Sequence, residues 1–418
     1  NAAGATRGGK WVFVPAGTYL ISTHLTIPTG VTLKGSWQIT PGSGATAIGA
    51  TLLAVEGAGN PNGTSFIRLY SDSRVEGIRI TYPNQTSPTA DPFIPVAYPW
   101  TFESYNATNA NIVNCYVENP YQCLKVWGQR CNVRGLYAQP LYKGIYVLTS
   151  WDICRFEDVH FYYLWSDSTG VRTWMAQNAE AFISALNAWQ YMSNSLFYGY
   201  KYGFHFIPDQ DGASTCGQFF NCSAILCGTA AVKVDKCGQS GVLFVNSDFC
   251  TNPVYSGDAN CESVTIAAEA LGNASFNNCS FWGPANRICT INNGTEPGGA
   301  LFSNCSFRDW TTSQYAITVL GGDTIVDGCY FITPGKCVSV ASVASGTIVG
   351  NLGAAPAEIQ NNAGTNCAVA NNVHSADFLD LAELASQWLQ PGQSSSNLNA
   401  DEIVNFEDFA IMAKDWLK

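Results

Sequence analysis

Charged side chains are scarce in this sequence. They make up 12% of its 418 residues, against 46% hydrophobic, where an ordinary cytosolic globule carries about 25%. Cations are the scarcer sign: 20 Lys and Arg stand against 31 Asp and Glu, a balance of −11. That balance argues against nucleic acid and against an anionic membrane surface, since both are held by clustered positive charge. It also disfavours a highly anionic polysaccharide unless calcium intervenes. No run of 18 apolar residues occurs, so no membrane-spanning helix is expected. No signal peptide is visible, and Asn1 reads as a processed or trimmed start.

What the chain does have is a recurring stretch of six residues. It reads FNNCSF at 276–281, FSNCSF at 302–307 and FVNSDF at 244–249. Looser copies begin at Val75, Ile112, Val133, Phe156, Met192, Phe219 and Val326, making ten in all. Positions one, four and six are mostly apolar or small, and position three is Asn, Gly or Asp in every copy. A repeat of this period means stacked supersecondary units. Each copy is rich in Val, Ile, Phe and Tyr, which favour strands. The Asn or Gly at its centre tolerates left-handed backbone, so each copy is expected to be a strand, a sharp bend and a second strand. Coiled, such units form an all-β, right-handed parallel β-helix with about 4.8 Å between turns.

On this reading Asn114, Asn194, Asn221, Asn246, Asn278 and Asn304 form an inner amide ladder at the bends. Cys115, Cys222, Cys279, Cys305 and Cys329, at position four, point inward as small hydrophobes. The chain has 16 cysteines, and a few disulfides are expected among the rest. Cys131 with Cys154, and Cys250 with Cys261, are the candidate pairs.

From Lys10 to Gly35 the chain reads KWVFVPAGTYLISTHLTIPTGVTLKG, short β runs punctuated by Pro-Ala-Gly and Pro-Thr-Gly turns. This resembles the opening of the pectate-lyase-like superfamily. The resemblance implies the coiled fold, and a range of chemistries that includes lyases, glycosidases, epimerases and phage tailspikes. Residues 140–210 also resemble a run in uncharacterised secreted β-helix proteins of that superfamily, which brings no catalytic assignment. The polygalacturonase signature (Asn-Thr-Asp, Asp-Asp, Gly-His-Gly, Arg-Ile-Lys) is missing. The β-helix is expected to span residues 1–365, with an inserted region at 162–191.

A β-helix has no pocket of its own, so a site is expected on a lateral face bounded by inserted loops. The aromatic-rich neighbourhood of 162–191 is the favoured place, because sugar rings stack on exposed aromatic faces while carboxylates reach the hydroxyls. The substrate-binding candidates are Trp151, Trp165, Trp174, Trp189, Tyr200 and His205. The catalytic candidates are Asp152, Glu157, Glu180, Asp209 and Asp211, two of which would act as acid and base across a glycosidic bond. Bland roles compete for each: Asp209 and Asp211 suit a polar turn, Glu157 a solvated surface, and Glu180 an exposed position in a short helix. For elimination chemistry, Lys143, Lys201, Arg134, Arg155 and Arg172 are near the same face.

The tail changes character. HSADFLDLAELASQWLQ at 374–390 returns as EIVNFEDFAIMAKDWLK at 402–418, each an amphipathic helix with an acidic start. This resembles a dockerin, a pair of half EF-hand units, over residues 366–418. The resemblance places calcium in the second loop on Asn397, Asn399, Asp401, the Ile403 carbonyl, Asn405 and Asp408. It departs from the pattern at Glu402, where Gly is usual. It also implies a cohesin-like scaffold partner. The sequence therefore favours a secreted, extracellular glycoside hydrolase acting on a plant or algal cell-wall polysaccharide without a catalytic cofactor. A polysaccharide lyase, or a glycan-binding protein without activity, stands as the alternative.

Overall fold

A computed structural model of the chain describes residues 9–37, 49–267, 270–293, 298–354, 356–373 and 403–416, with Ser386, Trp388 and Leu398. The hexads coil as their pattern predicts. Each strand pairs in parallel with its counterpart one turn later: Val242–Val245 lies on Ala274–Asn277, and that strand on Gly299–Ser303. Among the described residues the coil forms two parallel sheets, of 21 and 13 strands. The larger carries the hexads and is here called the hexad sheet; the other is the second sheet.

The bend is the same in every turn. All ten third positions, from Gly77 to Gly328, have φ between 47° and 68°, the left-handed region that Asn, Asp and Gly enter at least cost. The inversion resets the inside–outside alternation, so positions one, four and six all face the core. Phe244, Phe276 and Phe302 at position one stack at 5.4 and 5.2 Å, and Phe249, Phe281 and Phe307 at position six at 5.1 and 5.5 Å. Such pairs contribute about 0.5–1.5 kcal/mol each beyond the area they bury.

The amide ladder is present but lies outside the coil. Asn221 donates to Asn194 and Asn278 to Asn246, both at 2.8 Å, and all six asparagines are exposed. With position four turned inward, the residue before it is left on the outside of the corner. The expected disulfides do not form: all 16 cysteines are thiols, 15 of them buried. Cys131 and Cys154, like Cys250 and Cys261, fill core space side by side without bonding. Cys279 instead donates to the carbonyls of Phe244 and Asn277, at 3.6 and 3.3 Å. Burial pushes the Cys115 and Cys222 thiols up to about 12, so neither carries appreciable thiolate at neutral pH.

The 162–191 region is less of an excursion than its composition suggests. It contains one helix, α1 (Thr169–Asn178), whose N-cap Ser168 accepts from the Val171 N–H at 3.4 Å. The chain then re-enters the coil as the strand Glu180–Ser184, between Lys143–Thr149 and Tyr202–Phe206. Glu180 therefore sits on a strand and not in a helix. The coil also runs past the boundary expected at 365. Cys367–Ala370 pairs with the Ser345–Val349 strand, and Asn351 donates to the buried Asn372 at 2.8 Å. In the tail, α2 (Phe406–Trp416) packs through Met412 with Val404 and Trp388. Most of the first tail copy lies outside the described residues.

Two outcomes test this picture. Asn278→Val should lower stability by about 1–2 kcal/mol, read as a lower denaturant midpoint, while Asn278→Gly stays close to the parent. Denatured protein that has never met reductant should titrate sixteen thiols; each bridge would remove two.

Candidate functional site

Along the second sheet every strand offers one outward side chain at its centre, and parallel register aligns these into a column. It runs Arg68, Glu103, Lys125, Tyr146, Ile183, His205, Lys233 and Thr265. A second outward column beside it holds Trp100, Gln122, Lys143, Glu180 and Tyr202. In a chain so poor in charge, this is where ionised groups gather.

The columns converge on His205. Its Nδ1 lies 2.7 Å from Glu180 Oε2, and its Nε2 2.7 Å from Asp235 Oδ2. With both acids ionised they can only accept, so this geometry favours a ring that donates from both nitrogens, the imidazolium. Burial opposes that charge, but the hydrogen bonds from Asp235 and Glu180 outweigh it and raise the His205 pKa. Burial likewise pushes Asp235 up, yet His205 and Lys233, whose Nζ is 3.1 Å away, hold its carboxyl below the ordinary range. One oxygen of each acid, Glu180 Oε1 and Asp235 Oδ1, has no hydrogen-bond partner among the described residues. Tyr202 closes the group: its ring centroid is 4.9 Å from that of His205 and 5.0 Å from Lys233 Nζ.

Toward the N-terminus the same face carries a second charged knot. Buried Glu103 accepts from Ser65 at 2.7 Å, and from Arg68 and Lys125 at 3.1 Å each. Between the knots, Trp100 and Tyr146 stack at 6.1 Å with 28° between their planes. The face thus presents aromatic platforms flanked by carboxylates and cations.

Residues 1–122 match the family described as Rhamnogalacturonase A/epimerase, pectate lyase-like. The opening that resembles this superfamily lies inside that span. No curated protein matches the chain. Among solved structures, the A-module of mannuronan C-5 epimerase AlgE6 from Azotobacter vinelandii is similar at 13% identity and a TM-score of 0.47, over 88% of this chain and 91% of that one. A double mutant of the tailspike protein of E. coli bacteriophage HK620 is similar at 12% identity and 0.47, over 88% and 73%. DFA-IIIase from Arthrobacter chlorophenolicus A6, in complex with GF2, is similar at 10% identity and 0.41, over 88% and 89%.

Of the residues expected at the site, Glu180 and His205 come together, and Asp209 borders the same face. Its charge adds to burial in raising the Tyr146 hydroxyl. Its own Oδ1 accepts from the Asp211 and Ala213 N–H groups at 3.0 and 2.7 Å, so the polar-turn role holds for both aspartates. Asp152 pairs with Arg130 at 2.5 Å on a corner, and Glu157 lies exposed on the hexad sheet, 3.8 Å from Arg134. Neither shares a face with Glu180. Trp165 packs beside Phe93, and Trp174 donates to the Leu141 carbonyl at 2.9 Å, so both brace the insertion. Tyr200 is fully buried and offers no surface to a ligand, while Trp151 and Trp189 are exposed at the corner after the second sheet. Asp235, Lys233 and Tyr202 were missed. Strand pairing sets YGFHF at 202–206 on AAVKV at 230–234, which puts Lys233 beside His205 and Asp235 two residues on; the hexads at Met192 and Phe219, 27 residues apart, would have put Val232 there instead.

Among the expected calcium ligands, Asn397, Asn399 and Asp401 lie outside the described residues. Asp408 accepts from the Leu398 N–H at 2.5 Å and the Asn405 N–H at 2.9 Å, and Asn405 accepts from the Glu407 N–H at 2.7 Å, together capping α2. A cation in that loop would compete with these bonds.

The trio predicts its own pH dependence. An imidazole with a raised folded pKa gives stability that is complete below its unfolded value of about 6.5 and fades as pH rises through the folded value. The advantage of the parent over His205→Gln in denaturant midpoint should therefore shrink with rising pH on the alkaline side. Asp235, held low, behaves oppositely: its share is lost as acid takes pH down through its folded value. An imidazole proton resonance for His205 that titrates above 6.5 is the direct check.

Proposed function

We propose that the chain is a carbohydrate-active enzyme, a glycoside hydrolase that takes a plant or algal cell-wall polysaccharide over the outward face of the second sheet. The observation that carries this is the pair of acids on either side of His205, each with one oxygen free, beside a row of aromatic rings. The imidazole fills the space between the two bonded oxygens, so a sugar and its attacking water meet the free oxygens, Glu180 Oε1 and Asp235 Oδ1, and their separation decides between inversion and retention. Asp235, kept ionised by His205 and Lys233, takes the proton of that water as general base. Glu180, supplied with a proton from His205 Nδ1, gives it to the departing glycosidic oxygen as general acid. Tyr146 and Trp100 stack the sugars on one side of the cleavage point.

Elimination on a uronate-containing glycan is the alternative, favoured by a different observation. Lys125, Lys143 and Lys233 line the same face, where they could neutralise a sugar carboxylate. The two chemistries leave different products. Hydrolysis liberates reducing ends alone; elimination also creates a double bond that absorbs in the ultraviolet.

The tail belongs to the same proposal: a dockerin-like module that joins a secreted enzyme to a cohesin-like scaffold, with calcium in its second loop. Calcium binding there would raise the melting midpoint of the tail, and a chelator would reverse it.

Glu180→Gln and Asp235→Asn should each lower turnover by about 10²–10⁴-fold; each also removes an anionic acceptor from the His205 imidazole, so the melting midpoint falls as well, and turnover is compared at a temperature where both variants are folded. Activity is followed as reducing ends released from a polysaccharide panel. Full activity in both variants would remove the acid–base assignment.

A further inference from the structure

The hexad sheet carries a groove that the chemistry above does not use. It encloses about 490 Å³ along the outer corner of the later turns, lined by Asn246, Asn278, Asn304, Ser280, Ser306 and Tyr330 among others. Its existence follows from the residues at hexad position five. In earlier turns these are Tyr137 and His160, whose rings stand 5.1 Å apart and fill the corner. From Ser223 onward the column runs through Asp248, Ser280 and Ser306, and small side chains leave the corner open until Tyr330.

The lining has a definite chemistry. Amides and hydroxyls recur once per turn, at the pitch of about 4.8 Å set by strand pairing, close to the rise of one sugar in an extended glycan. Asn278 is engaged with Asn246 at 2.8 Å, whereas the Asn304 amide and the Tyr330 hydroxyl have no side-chain partner among the described residues. Tyr330 is 40% exposed at one end. Trp282, two residues past Ser280 and outside the lining, is half-buried and holds Asp248 through its Nε1–H, which donates to Asp248 Oδ1 at 2.8 Å. No Lys or Arg lines the groove, and its one acid is occupied with that indole. Evenly spaced donors and acceptors, an aromatic ring at one end and no cation in the lining suit an uncharged, hydroxyl-rich polymer better than a phosphate, a uronate or an acidic peptide.

We infer that this corner groove is a second, non-catalytic site for a neutral glycan chain lying along the coil axis. It does not depend on the chemistry assigned to the second sheet. It would hold the protein to polysaccharide while the other face works.

The test uses the full chain carrying Glu180→Gln and Asp235→Asn, so that the probe is not consumed. It is run by affinity electrophoresis through xyloglucan, galactomannan or agarose, with polygalacturonate as the anionic control. At least one neutral glycan should retard the protein. Tyr330→Ala and Asn304→Gly should each weaken that retardation by about tenfold or more. Glycine takes the left-handed backbone at 304, so this variant keeps its fold even if Tyr330→Ala lowers the melting midpoint. In the otherwise unaltered chain, neither substitution should change turnover of a short soluble substrate. Three results overturn the inference: no retardation by any neutral glycan, retardation unchanged in both groove variants, or retardation abolished by Tyr146→Ala on the second sheet and untouched by the groove variants.

Discussion

Everything in this molecule depends on one backbone inversion per turn. A residue in the left-handed region at position three of each hexad turns the strand through a corner and brings positions one, four and six to the same side. Without it, the ten copies would be ordinary alternating strands with half of each phenylalanine column facing water. With it, like side chains fall on like, and the core becomes columns of stacked rings and thiols. The second sheet inherits its order from this. Because the corners repeat in register, outward residues far apart in sequence become neighbours at a fixed spacing.

That spacing makes the charged trio possible. Glu180, His205 and Asp235 come from three successive strands of the second sheet or its edge, and each contributes one group. An imidazole between two acids resolves a problem of burial: neither carboxylate is left as an unpaired charge, and the ring has an acceptor at both nitrogens. Lys233 offsets the remaining negative charge. The result is a compact ionic group on a protein otherwise poor in charge, with a free oxygen on each acid turned from the ring.

The coil itself was legible because its signal is redundant. Ten copies agree on one small or polar residue at position three, and the structure places all ten in one conformation. The direction of the amide ladder was not legible, since the repeat alone does not say which side of the corner the third residue takes. Nor were the disulfides: a cysteine at a core position and one awaiting a partner look alike in sequence, and only side-by-side packing without bonding separates them. At the site, Glu180 and His205 were within reach because they sit near a conspicuous aromatic insertion. Asp235 and Lys233 lie in AAVKVD, a stretch with no aromatic and no motif, and only the register of neighbouring turns brings them in. Tyr200 and Trp174 erred in the opposite sense. Aromatic composition drew attention to them, yet Tyr200 is buried in the core beside Phe161 and Trp174 holds the insertion to the coil.

The one-group-per-turn construction of the trio also bears on how such a chain can change over generations. A solenoid tolerates the gain or loss of a whole turn, because each unit touches only its neighbours. Most such events would leave a sound coil. One that fell between the strands of Glu180 and His205 would instead move the carboxylate a full layer from its imidazole and break up the ionic group in a coil that still folds. Turns at either end can therefore come and go without touching the ionic group, while the strands that carry Glu180, His205 and Asp235 keep it only as an uninterrupted block.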